Sequence, residues 1–188
     1  MSCWTNPGCY QRMIDSIDKY PVEEVPLGKV LKELIEKAGE GSYLDLGCGT
    51  GDASKLINDY TGADQRHIID NVSLECFPKV KFIPFESWNV EFLQDYDIVL
   101  MSAFIDVLEN PIEALKRIIP NCKKVILHRQ EMTHGETKII QNPSYGGWTY
   151  HSLVNWTEFW EAIAPLKVSH EVKLNIDGWE EARSFILD

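Results

Sequence analysis

The sequence feature that most constrains the fold is a glycine-rich turn that follows a short apolar segment. Residues 43–57 read YLDLGCGTGDASKLI, and Gly47, Gly49 and Gly51 alternate with other residues in the turn. Glycine permits a positive φ and lacks a Cβ, so backbone amides in such a turn can approach a ligand closely. Ligands of open α/β sheets bind at the carboxyl ends of the strands, where these turns lie. The segment therefore predicts the ligand-binding turn of an α/β protein.

Alternation of short apolar strands with amphipathic helices supports this fold class. The predicted strands cover residues 43–46, 67–70, 79–84, 97–101 and 123–128. Apolar residues at helical spacing predict helices in residues 10–20, 27–38, 53–60, from 110 onward and in 156–164. Asp177-Gly178 between two alternating runs predicts a hairpin at the end of the chain. We expect a seven-stranded, mostly parallel sheet with helices on both faces and a C-terminal antiparallel hairpin.

Length and composition predict one globular domain over residues 1–188, with 44% hydrophobic and 25% charged residues. The chain has no apolar stretch long enough to span a bilayer and no signal-like start, so we expect a cytoplasmic protein with no membrane partner. A balance of 18 basic against 29 acidic residues gives a net charge of −11, which disfavours nucleic acid as a partner. The five scattered cysteines form no C-x-x-C pair, so we expect neither disulfides nor a metal site.

The residues of the glycine turn discriminate among the ligands that such turns bind. A Walker-type phosphate loop requires Gly-Lys-Ser/Thr, which the chain lacks. The dinucleotide pattern G-x-G-x-x-G requires a glycine at position 52, where the chain has Asp52. An acid repels a pyrophosphate, but it tolerates an adenosyl cofactor that carries an ammonium and a sulfonium.

The motif D-x-G-x-G-x-G, formed by Asp45, Gly47, Gly49 and Gly51, resembles the first motif of class I (Rossmann-like) S-adenosylmethionine-dependent methyltransferases. The resemblance covers roughly residues 25–130 and implies that this loop wraps the methionine end of S-adenosylmethionine. Asp45 and the three glycines are thus predicted to bind the cofactor.

The same resemblance implies roles for three later segments. Asp70, 70 − 51 = 19 residues after the last glycine, matches the ribose-binding acid. Glu86 and Ser87 match the segment near the adenine amino group, and Ser102 matches the segment beside the transferred methyl. The stretch between Asp70 and Lys79 is shorter than the helix expected there, so this part of the pattern departs from the family.

Residues 129–155 are predicted to be an insertion that recognises the substrate. The segment is long for a connection within a compact domain, and it is rich in histidine and aromatic residues. His128, at the end of the fifth strand, and His151, within the insertion, are the candidate catalytic residues. The N-terminal arm, residues 1–24, is predicted to be helical and to act as a lid.

Methyl transfer to a small-molecule acceptor by direct displacement is the predicted activity. The N/D-P-P-Y/F motif of amino-methylating nucleic-acid enzymes is missing after the fourth strand, where the sequence reads MSAF. Two alternatives stay open: a non-catalytic S-adenosylmethionine-binding module that acts through a protein partner, and a nucleotide-dependent oxidoreductase. The acceptor atom and the oligomeric state are left open.

Overall fold

The computed structural model describes residues 8, 11, 12, 15, 21–64, 81–84, 90–144 and 146–188. Within these ranges, nine strands form one sheet. They are β1 (Tyr43–Leu46), β2 (Tyr60–Asp64), β3 (Lys81–Pro84), β4 (Ile98–Ser102), β5 (Val125–Thr133), β6 (Lys138–Ser144), β7 (Gly147–Asn155), β8 (Val168–Leu174) and β9 (Ala182–Leu187).

The first five strands are parallel and lie in the order β3-β2-β1-β4-β5. On the far edge of β5, β9 runs antiparallel and pairs in turn with β8, which completes the C-terminal hairpin. Because the order reverses direction between β1 and β4, the carboxyl ends of these two strands flank a switch point, where open sheets bind ligands.

Helices cover both faces of the sheet: α1 (Pro26–Ala38), α2 (Pro111–Ile118) and α3 (Trp156–Ala162). Helix α1 begins at a proline, which suits the first helical turn, and ends before Gly39, whose φ is 96°. Its buried stripe packs against one face of the sheet, in a cluster with Tyr43, Ile98, Leu100, Ile126 and Ile186.

The opposite face of the sheet packs against α2 and α3. Alternate residues of the same strands point there, as the two-residue period of a strand requires. This cluster includes Leu44, Leu46, Val99, Met101, Val125, Leu127, Leu115, Ile118, Phe159 and Phe185. The predicted mostly parallel sheet, with helices on both faces and a C-terminal antiparallel hairpin, is confirmed.

The second strand is not where the sequence pattern predicted it. Residues 53–60 were expected to be helical and 67–70 to form the strand, but only a 3₁₀ turn (Asp52–Lys55) precedes β2, which starts at Tyr60. Since β2 pairs with β1 from Tyr43↔Tyr60 to Leu46↔Ala63, the place beside β1 is filled. The predicted helix at 53–60 is wrong; residues 67–70 lie outside the described ranges, and the strand predicted there stays a prediction.

The predicted insertion at 129–155 is a β structure, which raises the strand count from the expected seven to nine. Strand β5 continues to Thr133, five residues beyond the predicted end at 128, and β6 and β7 then form an antiparallel hairpin. Strand β7 pairs in parallel with the end of β5, from Glu131↔Leu153 to Thr133↔Asn155.

The N-terminal arm, residues 1–24, is described at eight positions, which are 8, 11, 12, 15 and 21–24. Gly8, Gln11 and Arg12 are helical, and the helical arm over residues 1–24 stays a prediction. A methyl group built on Gly146, in the turn of the β6–β7 hairpin, would lie 2.5 Å from Nη2 of Arg12, so the arm reaches this hairpin. Among the helices of the described ranges, none has the length and apolar character needed to cross a membrane.

Candidate functional site

The glycine turn after β1 adopts the conformation that its composition predicts. Gly47, Gly49 and Gly51 have φ values of 77°, 54° and 79°, a region that residues with a Cβ rarely occupy. The amides of Gly47 and Cys48 donate to the carbonyl of Ala63, at 2.8 and 3.2 Å. These bonds tie the turn to the end of β2, so the loop conformation depends on the neighbouring strand.

Asp64, the last residue of β2, holds the turn directly. Its Oδ2 accepts a hydrogen bond of 2.7 Å from the backbone N–H of Gly49, and its side chain is buried. It lies 64 − 51 = 13 residues after the last glycine, against 19 for Asp70. The sequence interpretation missed Asp64 because it assigned Tyr60 to a helix. The available signal was the β-forming Tyr60-Thr61 pair ahead of an acid.

Asp45, at the end of β1, is only 3% exposed. The Tyr60 hydroxyl donates to its Oδ2 at 2.7 Å, whereas Oδ1 is buried with no hydrogen-bond partner among the described residues. Burial raises the pKa of Asp45 to about 7; the Tyr60 hydrogen bond opposes the rise, and the charges of Asp64 and Asp52 add to it. A buried acceptor without a donor in the described residues can take a hydrogen bond from a bound ligand.

Three carboxylates surround the turn, since Asp52 begins the 3₁₀ helix immediately after Gly51. The pKa of Asp52 is raised, chiefly by burial, and its Oδ1 is a second buried oxygen with no partner in the described ranges. A ligand with a positive ammonium and N–H donors fits this arrangement. A pyrophosphate does not, because it would add negative charge beside Asp45, Asp52 and Asp64.

The end of β4 lies against the same turn. Ser102 is half-buried and pairs with His128 across the sheet, and Ala103 follows with a positive φ of 53°. The amide of Ala103 donates to the His128 carbonyl at 3.1 Å. A methyl group built on Gly47 would lie 2.2 Å from Cδ2 of Phe104, so the phenyl ring packs directly on the glycine.

His128, a candidate catalytic residue, is buried between strands. Its Nδ1 lies 2.9 Å from Oγ of Ser184 in β9, and only 4% of the residue is exposed. Burial, with the nearby Arg129 charge, lowers the pKa of His128 to about 3. The imidazole is therefore neutral at pH 7, and its observed partner is a hydroxyl of the sheet itself.

A polar cluster extends beyond the ends of β4 and β5. Asp106, in a 3₁₀ turn (Ile105–Val107), is 2% exposed and lies 3.5 Å from the Arg129 guanidinium. His151 of β7, the other candidate catalytic residue, contacts the buried Glu131 carboxylate through Nε2. The ring of Trp179 lies 4.8 Å from the His151 ring and 5.9 Å from the Arg129 guanidinium carbon.

The structure thus brings together Asp45, the three glycines and Ser102 at one edge of the sheet. His128 pairs with Ser102, and His151 lies in the polar cluster with Glu131 and Trp179. Asp70, Glu86 and Ser87 lie outside the described residues. Of the cysteines, Cys48 and Cys122 are described, and both are free thiols. Within the described ranges, no group of three or more His, Cys, Asp or Glu side chains is arranged to hold a metal ion.

No protein-family model and no curated protein matches the chain. Solved structures do match its fold. An S-adenosylmethionine-dependent methyltransferase from Clostridium acetobutylicum aligns with a TM-score of 0.63 and 11% identity, over 96% of this chain and 98% of the other. The Burkholderia thailandensis 1,6-didemethyltoxoflavin-N1-methyltransferase, crystallised with 1,6-didemethyltoxoflavin and S-adenosylhomocysteine, aligns with a TM-score of 0.64 and 12% identity, over 96% of this chain and 86% of the other.

Human N-acetylserotonin methyltransferase, in complex with S-adenosylmethionine, aligns with a TM-score of 0.65 and 12% identity. The alignment covers 98% of this chain and 56% of the human protein. At these identities the similarity establishes the fold. The chain has the class I, Rossmann-like fold of S-adenosylmethionine-dependent methyltransferases.

Proposed function

We propose that the protein transfers a methyl group from S-adenosylmethionine to a small-molecule acceptor by direct displacement. The observation that carries the proposal is the contact between Asp64 and the positive-φ turn at Gly49. It joins a carboxylate at the end of β2 to a loop without side-chain bulk at the end of β1. Both lie at the edge where open α/β sheets bind ligands.

The residues around the turn fit the polar ends of this cofactor. Gly47, Gly49 and Gly51 would accommodate the methionine moiety, and the partnerless Oδ1 of Asp45 suits its ammonium. Asp64 stands at the end of β2, where a carboxylate can accept hydrogen bonds from both ribose hydroxyls. When bound, the cofactor supplies a methyl carbon made electrophilic by a sulfonium.

Further contacts are proposed from the family resemblance. Ser102 and the positive-φ Ala103 would lie beside the transferred methyl, because they end the strand next to the turn. Glu86 and Ser87 are proposed to bind the adenine. The ribose role predicted for Asp70 competes with that of Asp64, and the position of β2 favours Asp64.

Two observations favour a small acceptor: the net charge of the chain and the position of the β6–β7 hairpin. A net charge of −11 opposes binding of a long phosphate backbone. Strand β7 packs beside the 3₁₀ turn after β4, and Ser152 of β7 donates to the Ile105 carbonyl at 3.4 Å. The hairpin at 138–155 therefore lies beside the end of β4, and we propose that it encloses the acceptor. The neighbour from Burkholderia and the human neighbour both carry names of enzymes that act on small molecules.

Isothermal titration calorimetry with S-adenosylmethionine, S-adenosylhomocysteine and NAD tests the proposal. We expect both adenosyl compounds to bind at a single site and NAD to give no measurable heat. Binding of NAD in preference to the adenosyl compounds would favour the oxidoreductase alternative. Adenosyl binding without turnover on any metabolite pool would favour the non-catalytic module. A Gly49→Arg variant, with a long side chain in the turn, should show no heat of binding with either adenosyl compound.

A further inference from the structure

The position of β7 places its side chains just beyond the end of β4. Strand β4 pairs with one edge of β5 up to Ser102↔His128. Strand β9 holds the opposite edge and pairs Ala182 with Glu131. Because Glu131 also pairs with Leu153, β7 must occupy the edge that β4 has vacated. His151, two residues before Leu153, therefore lies where the line of β4 continues past its carboxyl end.

The Glu131 carboxylate fixes the orientation of the His151 ring. Oε2 of Glu131 contacts Nε2 of His151, and Oε1 accepts a hydrogen bond of 2.7 Å from the backbone N–H of Glu180. Glu131 is only 3% exposed. Both of its oxygens are therefore engaged, and a carboxylate held in this way can fix the tautomer and stabilise a protonated imidazole.

The other ring nitrogen of His151 is free to accept a proton. Nδ1 makes no hydrogen bond within the part of the chain that the structure describes, and the side chain keeps 16% exposure. The charged groups around the ring are Glu131, whose carboxylate contacts it, and Asp106 from the 3₁₀ turn after β4, which lies 3.5 Å from the Arg129 guanidinium. The half-buried indole of Trp179 lies beside the ring, with 4.8 Å between the ring centroids, and presents a flat apolar surface there.

We infer that His151 is the general base of the reaction, that Glu131 is its positioning residue, and that the acceptor is a hydroxyl on an aromatic ring. This inference rests on the proposed function. A nitrogen or sulfur acceptor with a free lone pair needs no such base, whereas an aromatic hydroxyl must lose its proton to attack well. An aromatic ring can also pack against Trp179.

The proton and electron balance of this step closes with the groups at hand. The acceptor hydroxyl gives its proton to Nδ1 of His151, and Nε2–H remains hydrogen-bonded to the Glu131 carboxylate. The acceptor oxygen forms a bond to the methyl carbon as the carbon–sulfur bond breaks. The electron pair of that bond returns to sulfur, which becomes a neutral thioether. The products are an aryl methyl ether and an imidazolium paired with Glu131.

Two phenols that differ in acidity separate a base from a merely structural residue. At about pH 8.5, unsubstituted phenol remains protonated, since phenolic hydroxyls have a pKa of about 10. The nitro group of 4-nitrophenol withdraws charge, so this acceptor is already ionised. The assay follows transfer of a labelled methyl group from S-adenosylmethionine to each phenol, using the full-length protein. Cofactor affinity is measured in parallel by calorimetry.

For His151→Ala we expect the rate on phenol to fall about 100-fold or more, with a change below about 3-fold on 4-nitrophenol. Glu131→Gln should lower the rate on phenol by about 10-fold or more in the same selective way. His170→Asn is the matched control, because His170 lies on β8, outside the polar cluster and outside the predicted substrate-recognition segment. It should leave both rates unchanged, and cofactor affinity should be unchanged in all three variants.

Three outcomes would overturn the inference. The first is that His151→Ala lowers the methylation rate equally on both phenols, and the second is that it does not lower the rate on phenol. The third is a wild-type protein that binds the cofactor but methylates neither compound. His151→Gln, which keeps a polar side chain, replaces His151→Ala if that variant fails to bind the cofactor. A wild-type protein that does not bind the cofactor at all would instead contradict the proposed function, so the two failures are distinguishable.

Discussion

Oδ2 of Asp64 lies 2.7 Å from the backbone nitrogen of Gly49, although 15 residues separate the two in the chain. The contact connects the ends of two adjacent parallel strands and fixes the turn between them. A charged acceptor strengthens such a bond relative to a neutral one. Asp64 therefore has two functions in our account: it shapes the loop and it offers a carboxylate to the ribose.

Replacing Asp64 should weaken cofactor binding. For Asp64→Ala we expect a loss of about 1–3 kcal/mol in binding free energy, because charge-assisted hydrogen bonds disappear. Asp64→Asn, whose amide oxygen can still accept from Gly49, should fold normally and show a smaller loss. Calorimetric titration with S-adenosylhomocysteine measures both variants. Asp70→Ala is the comparison: a larger effect there than at Asp64 would restore the original prediction for the ribose ligand.

Gly47→Ala should destabilise the protein more than the same change at another positive-φ glycine. The new methyl group would meet the Phe104 ring at 2.2 Å, in addition to the strain of a φ of 77°. We expect a loss of about 2–4 kcal/mol in the free energy of unfolding. Gly178→Ala has a similar φ of 83° but nothing within 4 Å, and should lose only about 1 kcal/mol.

Urea unfolding curves measure the glycine effects, and a second change tests their cause. Phe104→Ala removes the ring that the new methyl group would meet. In the Gly47→Ala background, Phe104→Ala should therefore lower the free energy of unfolding by less than it does in the wild type. Equal costs in the two backgrounds would show that the packing of Phe104 on Gly47 has no energetic effect.

Asp45 should make stability fall as the pH rises. Its pKa in the folded protein is about 7, above the ordinary value of 3.8, so the folded state holds a proton that the unfolded state has lost. Between about pH 4 and pH 7, the free energy of unfolding of the wild type should decrease relative to Asp45→Asn. The slope approaches about 1.4 kcal/mol per pH unit. If the difference in free energy of unfolding between the wild type and Asp45→Asn stays constant from about pH 4 to pH 7, the pKa of Asp45 is not raised by burial.

His128 should produce the opposite slope. Its pKa in the folded protein is about 3, below the ordinary 6.5, so the unfolded state binds a proton first as the pH falls. Relative to His128→Asn, the wild type should lose stability on acidification from about pH 6.5 to pH 4 and show no difference in slope above pH 7. Chemical denaturation at several pH values measures this. An excess slope that persists above pH 7 would mean that His128 is charged in the folded state.

The sequence predicted the elements that are determined locally. Helix α1 has a proline at its start, a glycine after its end and one apolar stripe, and it folds as expected. The glycine turn and the C-terminal hairpin also follow from backbone chemistry, since Gly47, Gly51 and Gly178 all adopt the positive φ that their positions require. These features need no information about distant residues.

The features that were mispredicted depend on distant contacts. Tyr60 has helical spacing relative to Leu56 and Ile57, but its hydroxyl bonds to Asp45 in the neighbouring strand, which local periodicity cannot show. Strand β6 is exposed along most of its length and includes Pro143, so it lacks the half-buried alternation of a predictable strand. Gly146, with a φ of 81°, is the sequence signal for its turn.

The most direct test of the central claim is a crystal structure of the protein with S-adenosylhomocysteine. We predict that the homocysteine moiety lies along the turn at 47–51, with its ammonium toward Asp45 and the ribose hydroxyls on Asp64. A ligand bound elsewhere on the surface, or a turn still closed against Phe104 with the nucleoside absent, would contradict it.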